Sequence, residues 1–249
     1  MLSLKSYFMA VLIMLVATVS SSPVMASTEA DTCLSIDSAL ISRHYPYVGW
    51  QIKDISYIPD MNTCQVVIQN SGRRSVLYVS TDLKAVIAGE IFKDRKAVSQ
   101  DALARMDQSV FSNTVETLDR AVAFSHKPEG ATKYVYFFTD PDCAYCDRAK
   151  EKVLQWSDKM QVEVKVVFFP LQMHPNARGK AIKGICSSMT YGDYMQGKYG
   201  DKQCAEGDDK IKLSIEVAEN LNITGTPTFI GAHGKKVSGF NEKLMGGIL

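Results

Sequence analysis

Tyr134-Val135-Tyr136-Phe137-Phe138-Thr139-Asp140-Pro141-Asp142-Cys143-Ala144-Tyr145-Cys146 is the stretch on which the fold turns. An apolar run of strand length stops at an Asp-Pro-Asp turn. Two cysteines two residues apart come next, and residues 144–157 then repeat with a helical period through Ala149, Val153, Trp156 and Met160. Residues 162–169 are almost wholly apolar, as a strand covered on both faces is. This is a β-α-β unit with a thiol pair at its first strand-to-helix junction. Such a pair can close a small disulfide and open it again.

Only a thiolate attacks a disulfide, and a helix N-terminus stabilises one through its unpaired N–H groups and its dipole. Cys143 falls at that end and reads as the attacking thiol. Cys146, one turn in, reads as the thiol that resolves a trapped mixed disulfide. Asp140 and Asp142 flank the pair. Both oppose ionisation of the nucleophile if they lie close; Asp140 is also a candidate proton acceptor for Cys146. Two rival readings of the pair are a zinc site and a purely structural disulfide. Zinc needs four ligands, and Cys186, Cys204 and His174 lack the close second pair that finger-like sites use.

Upstream, Ala102, Leu103, Met106, Val110, Phe111, Val115, Leu118 and Val122 recur at spacings of three and four, which predicts one amphipathic helix over residues 99–124. It is either a helix packed on a core or a rigid arm between domains. Before it, residues 34–45 suit a short helix. Strand-like segments come after that at 50–58, 64–69, 75–81 and 84–93, separated by turn residues such as Asn70-Ser71-Gly72, as in an antiparallel meander. Downstream, helical patterns cover 176–196 and 211–221. Two short strands and a brief terminal helix end the chain. The organisation is α+β: a signal segment over 1–26, an N-terminal domain over 27–94, a linker helix over 95–127 and a catalytic domain over 128–249.

The signal segment rests on Lys5, the apolar residues 7–19 and the small-residue cleavage pattern Val24-Met25-Ala26. Its removal leaves about 223 residues and takes away one lysine, so 27 basic residues face 27 acidic ones. That balance gives no electrostatic reason for a nucleic-acid partner. Export would place the six cysteines, 33, 64, 143, 146, 186 and 204, where disulfides persist.

Phe137-Phe138-Thr139-Asp140, Cys143-Ala144-Tyr145-Cys146 and Thr224-Gly225-Thr226-Pro227-Thr228 together resemble the bacterial exported disulfide isomerases of the DsbC/DsbG type. The likeness extends upstream over residues 71–92, with Leu77-Tyr78 and Ile87-Ala88-Gly89, to the family's N-terminal domain. The resemblance implies a cystatin-like dimerisation domain, a linker helix and a thioredoxin-like domain with a helical insertion. It implies a periplasmic isomerase with chaperone activity, acting as a homodimer on misfolded exported proteins and re-reduced by a membrane thiol reductase of DsbD type. It implies no cofactor and no metal. Cys143 and Cys146 take the catalytic positions, Thr226 and Pro227 the substrate-facing cis-proline loop, and Cys186 and Cys204 the structural disulfide of the insert. Cys33 and Cys64 depart from the family's pattern: they either pin the first helix to the sheet as a disulfide or exchange with partners. Within the same family the alternative is a reductase of sulfenylated cysteines. Outside enzyme chemistry it is a holdase chaperone whose redox pair is secondary. The spacer Ala144-Tyr145 keeps the family's tyrosine and lacks the histidine of strong oxidants.

Overall fold

The computed structural model describes residues 28–45, 49–70 and 73–249. The signal segment, and Ser71-Gly72 of the turn read from the sequence, lie outside the described residues.

The N-terminal part is a four-stranded antiparallel meander, β1 (Gln51–Ile58), β2 (Thr63–Asn70), β3 (Arg73–Ser80) and β4 (Val86–Ala88), in that spatial order. Alternation along β2 and β3 sends side chains to two different partners. Cys64, Val66, Ile68, Leu77 and Val79 pack under α1 (Glu29–Leu34) and α2 (Ser38–His44). Val67, Val76 and Tyr78 pack on Ala102 of α3 (Val98–Ala121). Both faces are therefore covered, which explains why these strands show apolar residues at every position rather than at every second one. The single helix read over 34–45 is two. The first ends at Leu34, with Ser35 as its C-cap and Leu34 left exposed, and Asp37 caps the second through Leu40 N–H at 2.7 Å. A small hairpin of β5 (Phe92–Lys93) and β6 (Lys96–Ala97) comes next, with Asp94 and Arg95 both left-handed at φ +50° and +64°.

The second sheet has five strands in the order β11-β10-β8-β9-β7. The β8 (Lys133–Thr139) and β9 (Val162–Phe168) strands are parallel and joined by α4 (Ala144–Met160). The others run antiparallel to their neighbours: β7 (Phe124–His126) to β9, β10 (Thr228–Gly231) to β8, and β11 (Lys236–Ser238) to β10. One face buries Phe137, Val153, Trp156, Val164 and Phe229. The other buries Tyr136, Phe138 and Val167 against Phe111 and Leu118 of α3 and Val217 and Leu221 at and after the end of α7 (Ala205–Asn220). The insert after β9 holds α5 (Ala177–Cys186) and α6 (Tyr191–Met195), so the helix read over 176–196 is also two; α8 (Glu242–Met245) ends the chain.

Two further local expectations change. The long helix stops at Ala121, and Phe124–His126 is an edge strand instead. The Ala123 N–H bonds Val166 C=O at 2.8 Å, and this pairing overrides the helical period of the preceding turns. Met160, read as part of the buried stripe of α4, is 45% exposed because the helix ends there. The two readings of this helix, packed on a core or a rigid arm between domains, are not exclusive: α3 packs on the first sheet through Ala102 and on the second through Phe111 and Leu118.

Candidate functional site

The end of β8, its turn and the start of α4 build the site. Cys143 is the N-cap of α4, and its sulfur accepts the N–H of Cys146 at 3.4 Å. A sulfur stands here where a hydroxyl or carboxylate usually caps, so one unpaired helix donor is aimed at it. Cys146 lies one turn in, behind the first sulfur: it is 1% exposed, against 7% for Cys143. Both are free thiols. Facing them is the loop after α7. The Thr226-Pro227 peptide is cis, and Thr226 C=O accepts the Cys143 thiol at 3.5 Å. The two segments meet because β10, which begins at Thr228, pairs with Phe138 at the end of β8. Residues 83 apart in the chain are thereby brought within one hydrogen bond.

Residues 121–243 match the family model described as a thioredoxin-like domain. These residues are a thioredoxin-like domain. A stretch of 99 residues is 27% identical to the thiol:disulfide interchange protein DsbG of Pseudomonas aeruginosa, covering 39% of this chain and 38% of that protein. The chain thus aligns with well under half the length of this curated relative. Its fold is also similar to a disulfide interchange protein from Neisseria gonorrhoeae, at 25% identity and a TM-score of 0.43, covering 50% of this chain and 93% of that one. A Proteus mirabilis ScsC variant is similar at 14% identity and a TM-score of 0.48, covering 61% and 84%. The likeness to the DsbC/DsbG type read from the sequence stands with the DsbG match.

Within the thioredoxin-like domain the two thiols are unlike. Burial pushes the Cys146 thiol up to about 12, against the pull of the Thr139 and Thr226 hydroxyls and the Asp140 N–H. The Thr226 hydroxyl is buried and has no other hydrogen-bond partner among the described residues. Thr139 is also buried, and its hydroxyl meets Tyr194 Oη of the insert at 2.5 Å.

Asp140 does not face Cys146 with its carboxylate. Its Oδ1 accepts the Asp142 N–H at 2.6 Å, and its Oδ2 accepts the Leu171 N–H at 2.7 Å and lies 3.0 Å from His174 Nδ1. What it gives Cys146 is its backbone N–H. This carboxylate ties the CxxC turn to the segment after β9. Asp142 is paired with Lys180 of α5, and Asp147 with Lys150 at 2.6 Å. Each acid near the pair therefore has a cationic or imidazole neighbour, which offsets the repulsion that the sequence suggested. Tyr145 is 69% exposed beside Cys143, with the Arg148 guanidinium 4.5 Å from its ring centre.

The insert carries Cys186–Cys204 as a disulfide, and the N-terminal part carries Cys33–Cys64. Among the described residues, no group of three or more His, Cys, Asp or Glu side chains lies close enough to hold a metal ion. Sequence reading missed Thr139, His174, Lys180 and Tyr194. His174, Lys180 and Tyr194 meet partners 34 or more residues away, so no local spacing marks them, whereas Thr139, which also reaches Cys146, stands in the run just before the pair.

Proposed function

We propose that the protein is an exported thiol-disulfide isomerase. The observation that carries this is the exposed-side Cys143 sulfur, capping α4 and facing Thr226 C=O, with the protonated Cys146 thiol directly behind it. The Cys143 thiolate attacks one sulfur of a wrong client disulfide. The S–S bond breaks, the electron pair leaves on the other client sulfur, and Cys143 is held in a mixed disulfide. That released client thiolate attacks a second client disulfide and pairs with one of its sulfurs; the sulfur it displaces leaves as a thiolate, attacks the client sulfur of the mixed disulfide and expels Cys143 as a thiolate. Where this stalls, Cys146 gives up its proton and attacks Cys143 Sγ. The client then leaves reduced and the pair is left oxidised, to be restored by a membrane thiol reductase. Cys146 is suited to this second role: a thiol that stays protonated does not cut short the mixed disulfide that isomerisation needs.

The N-terminal meander, residues 27–94, serves as a cystatin-like dimerisation domain in this reading. Two copies enclose misfolded exported proteins, with residues 1–26 directing the chain to the periplasm. The test is refolding of a scrambled multi-disulfide protein by the wild type, Cys143→Ser and Cys146→Ser. Cys143→Ser is expected to abolish isomerisation; a Cys143→Ser protein that refolds the client as fast as wild type defeats the reading. Sedimentation that shows a monomer at micromolar concentration defeats the dimer.

A further inference from the structure

Tyr194 of the insert is a buried phenol that the exchange steps above leave without a part. Its ring lies among Phe124, Phe168 and Tyr191, where a phenylalanine would pack as well. What sets it apart is the hydroxyl, which meets the hydroxyl of buried Thr139 at 2.5 Å. The Thr139 hydroxyl also bonds the Cys146 sulfur. Three elements therefore put three groups in a line: Tyr194 Oη from α6, Thr139 Oγ1 at the end of β8, and Cys146 Sγ in the first turn of α4.

The helix that carries Cys146 also holds Tyr194 in place. Lys150 stands four residues after Cys146, on the same face of α4. Its ammonium donates to Tyr194 C=O at 3.3 Å, and its C=O accepts the Tyr191 hydroxyl at 2.8 Å. The insert is thus fastened one turn from the resolving thiol.

A hydroxyl donates one proton and can accept as well, so a line of two can reorient without losing a proton. Burial holds the Tyr194 phenol well above its ordinary value. Tyr194 therefore stays an O–H and does not take the Cys146 proton; it donates. The other titratable groups around the line have their own partners or stay neutral. The Asp140 carboxylate is turned to the Asp142 and Leu171 N–H groups and to His174, and Lys150 is paired with Asp147. Burial holds the Tyr191 and Tyr199 phenols up as it does Tyr194.

We infer that Thr139 and Tyr194 form a hydroxyl relay that stabilises Cys146 as it becomes the attacking thiolate, so that the insert helps set how long the mixed disulfide lasts. This rests on the exchange reading above and concerns its resolving step alone. In that step Cys146 Sγ attacks Cys143 Sγ. The bond between Cys143 and the client breaks, the Cys143–Cys146 bond forms, and the electron pair leaves on the client sulfur. The proton given up by Cys146 ends on that client sulfur. As charge gathers on Cys146, the Thr139 O–H turns to the sulfur and its oxygen accepts the Tyr194 O–H. Thr139 is a catalytic residue here, since its hydroxyl touches the reacting sulfur. Tyr194 acts through it as a positioning residue.

The test follows the reduced full chain through one turnover with a disulfide-linked peptide pair, quenched in acid and read by mass spectrometry. Loss of the reduced protein reports attack by Cys143; decay of the adduct between Cys143 and the peptide reports resolution by Cys146. Tyr194→Phe keeps the ring and is expected to slow decay about fivefold, and Thr139→Val about tenfold, with attack within about twofold of wild type in both. Raising the pH by about one unit is expected to bring decay in Thr139→Val back to the wild-type rate, because the thiolate fraction of Cys146 grows about tenfold per unit. Thr139→Ser keeps the hydroxyl and is expected to decay within about twofold of wild type. Tyr194→Phe carries the test alone if Thr139→Val does not fold. Decay at the wild-type rate in the folded variants overturns the relay and leaves the exchange chemistry intact. Equal slowing of attack and decay, the mark of a merely structural defect, overturns it too. A wild type that leaves the peptide disulfide untouched overturns both the relay and the exchange reading.

Discussion

Cys143 and Cys204 occupy the same local position. Each is the N-cap of a long helix, and each sulfur accepts the N–H three residues on, at 3.4 Å from Cys146 and 3.3 Å from Gly207. Helix dipole and cap geometry therefore do not distinguish them. The difference lies in the company. Cys143 has its partner thiol in the same turn and a backbone carbonyl of the cis-proline loop opposite. The partner of Cys204 is Cys186, at the far end of another helix, packed so tightly on Gly207 that a Cβ there would lie 2.7 Å from its sulfur. A helix N-terminus stabilises a sulfur; a neighbouring loop that can receive a chain makes it a site of exchange.

This comparison can be broken most sharply at the two caps themselves. Cys143→Ser is expected to remove all exchange with a peptide disulfide, while Cys186→Ala combined with Cys204→Ser keeps it within about threefold. Equal losses in the two proteins would erase the distinction. The cost of the second change lies in stability: about 3 kcal/mol from the urea midpoint, as for a loop of this size. Next comes Cys146→Ser, which is expected to accumulate a mixed disulfide between Cys143 and the peptide, seen as an adduct by mass spectrometry. A clean, adduct-free turnover would deprive Cys146 of its resolving role.

The pH dependence of the reduced protein sharpens the contrast between Cys146 and an ordinary thiol. Its folded value, about 12, lies above the ordinary 9.0, so below pH 9 the thiol is protonated in both folded and unfolded chains. Between about 9 and 12 only the unfolded chain has lost its proton, and stability falls as pH rises. The slope this one group adds is at most about 1.4 kcal/mol per pH unit. Urea midpoints at pH 8 and about pH 10 for reduced wild type and reduced Cys146→Ser measure it; identical decrements in the two would remove it. The smallest expected effect tests a cap without redox chemistry. Thr190 caps α6 reciprocally with Asp193, and Thr190→Ala is expected to cost about 1 kcal/mol with unchanged exchange.

The site's chemistry was legible because it is written in neighbours: the apolar run, the turn and the two cysteines are contiguous. Thr226 and Pro227 were reached only through the resemblance, since nothing in an 83-residue gap says that β10 will lie beside β8. Asp140 shows a different limit. Its position beside the pair is visible in the sequence, but the direction of its carboxylate is decided by Leu171 and His174, contributed by a segment beyond β9. The edge strand Phe124–His126 failed for a related reason. The apolar rhythm of α3 runs on through Val122, and only the exposed edge of β9 draws the next few residues into a strand. Where one face of one element decides, as in α4 up to Trp156, sequence suffices. Where two distant elements decide, it does not.

The Cys33–Cys64 bond joins α1 to β2, with the two residues 1% and 0% exposed. No soluble oxidant reaches sulfurs so enclosed once the first helix has docked. The bond has to be made while the N-terminal segment is still open, before the sheet receives its cover. A protein whose chemistry is thiol-disulfide exchange is, at birth, dependent on having one disulfide made correctly in itself.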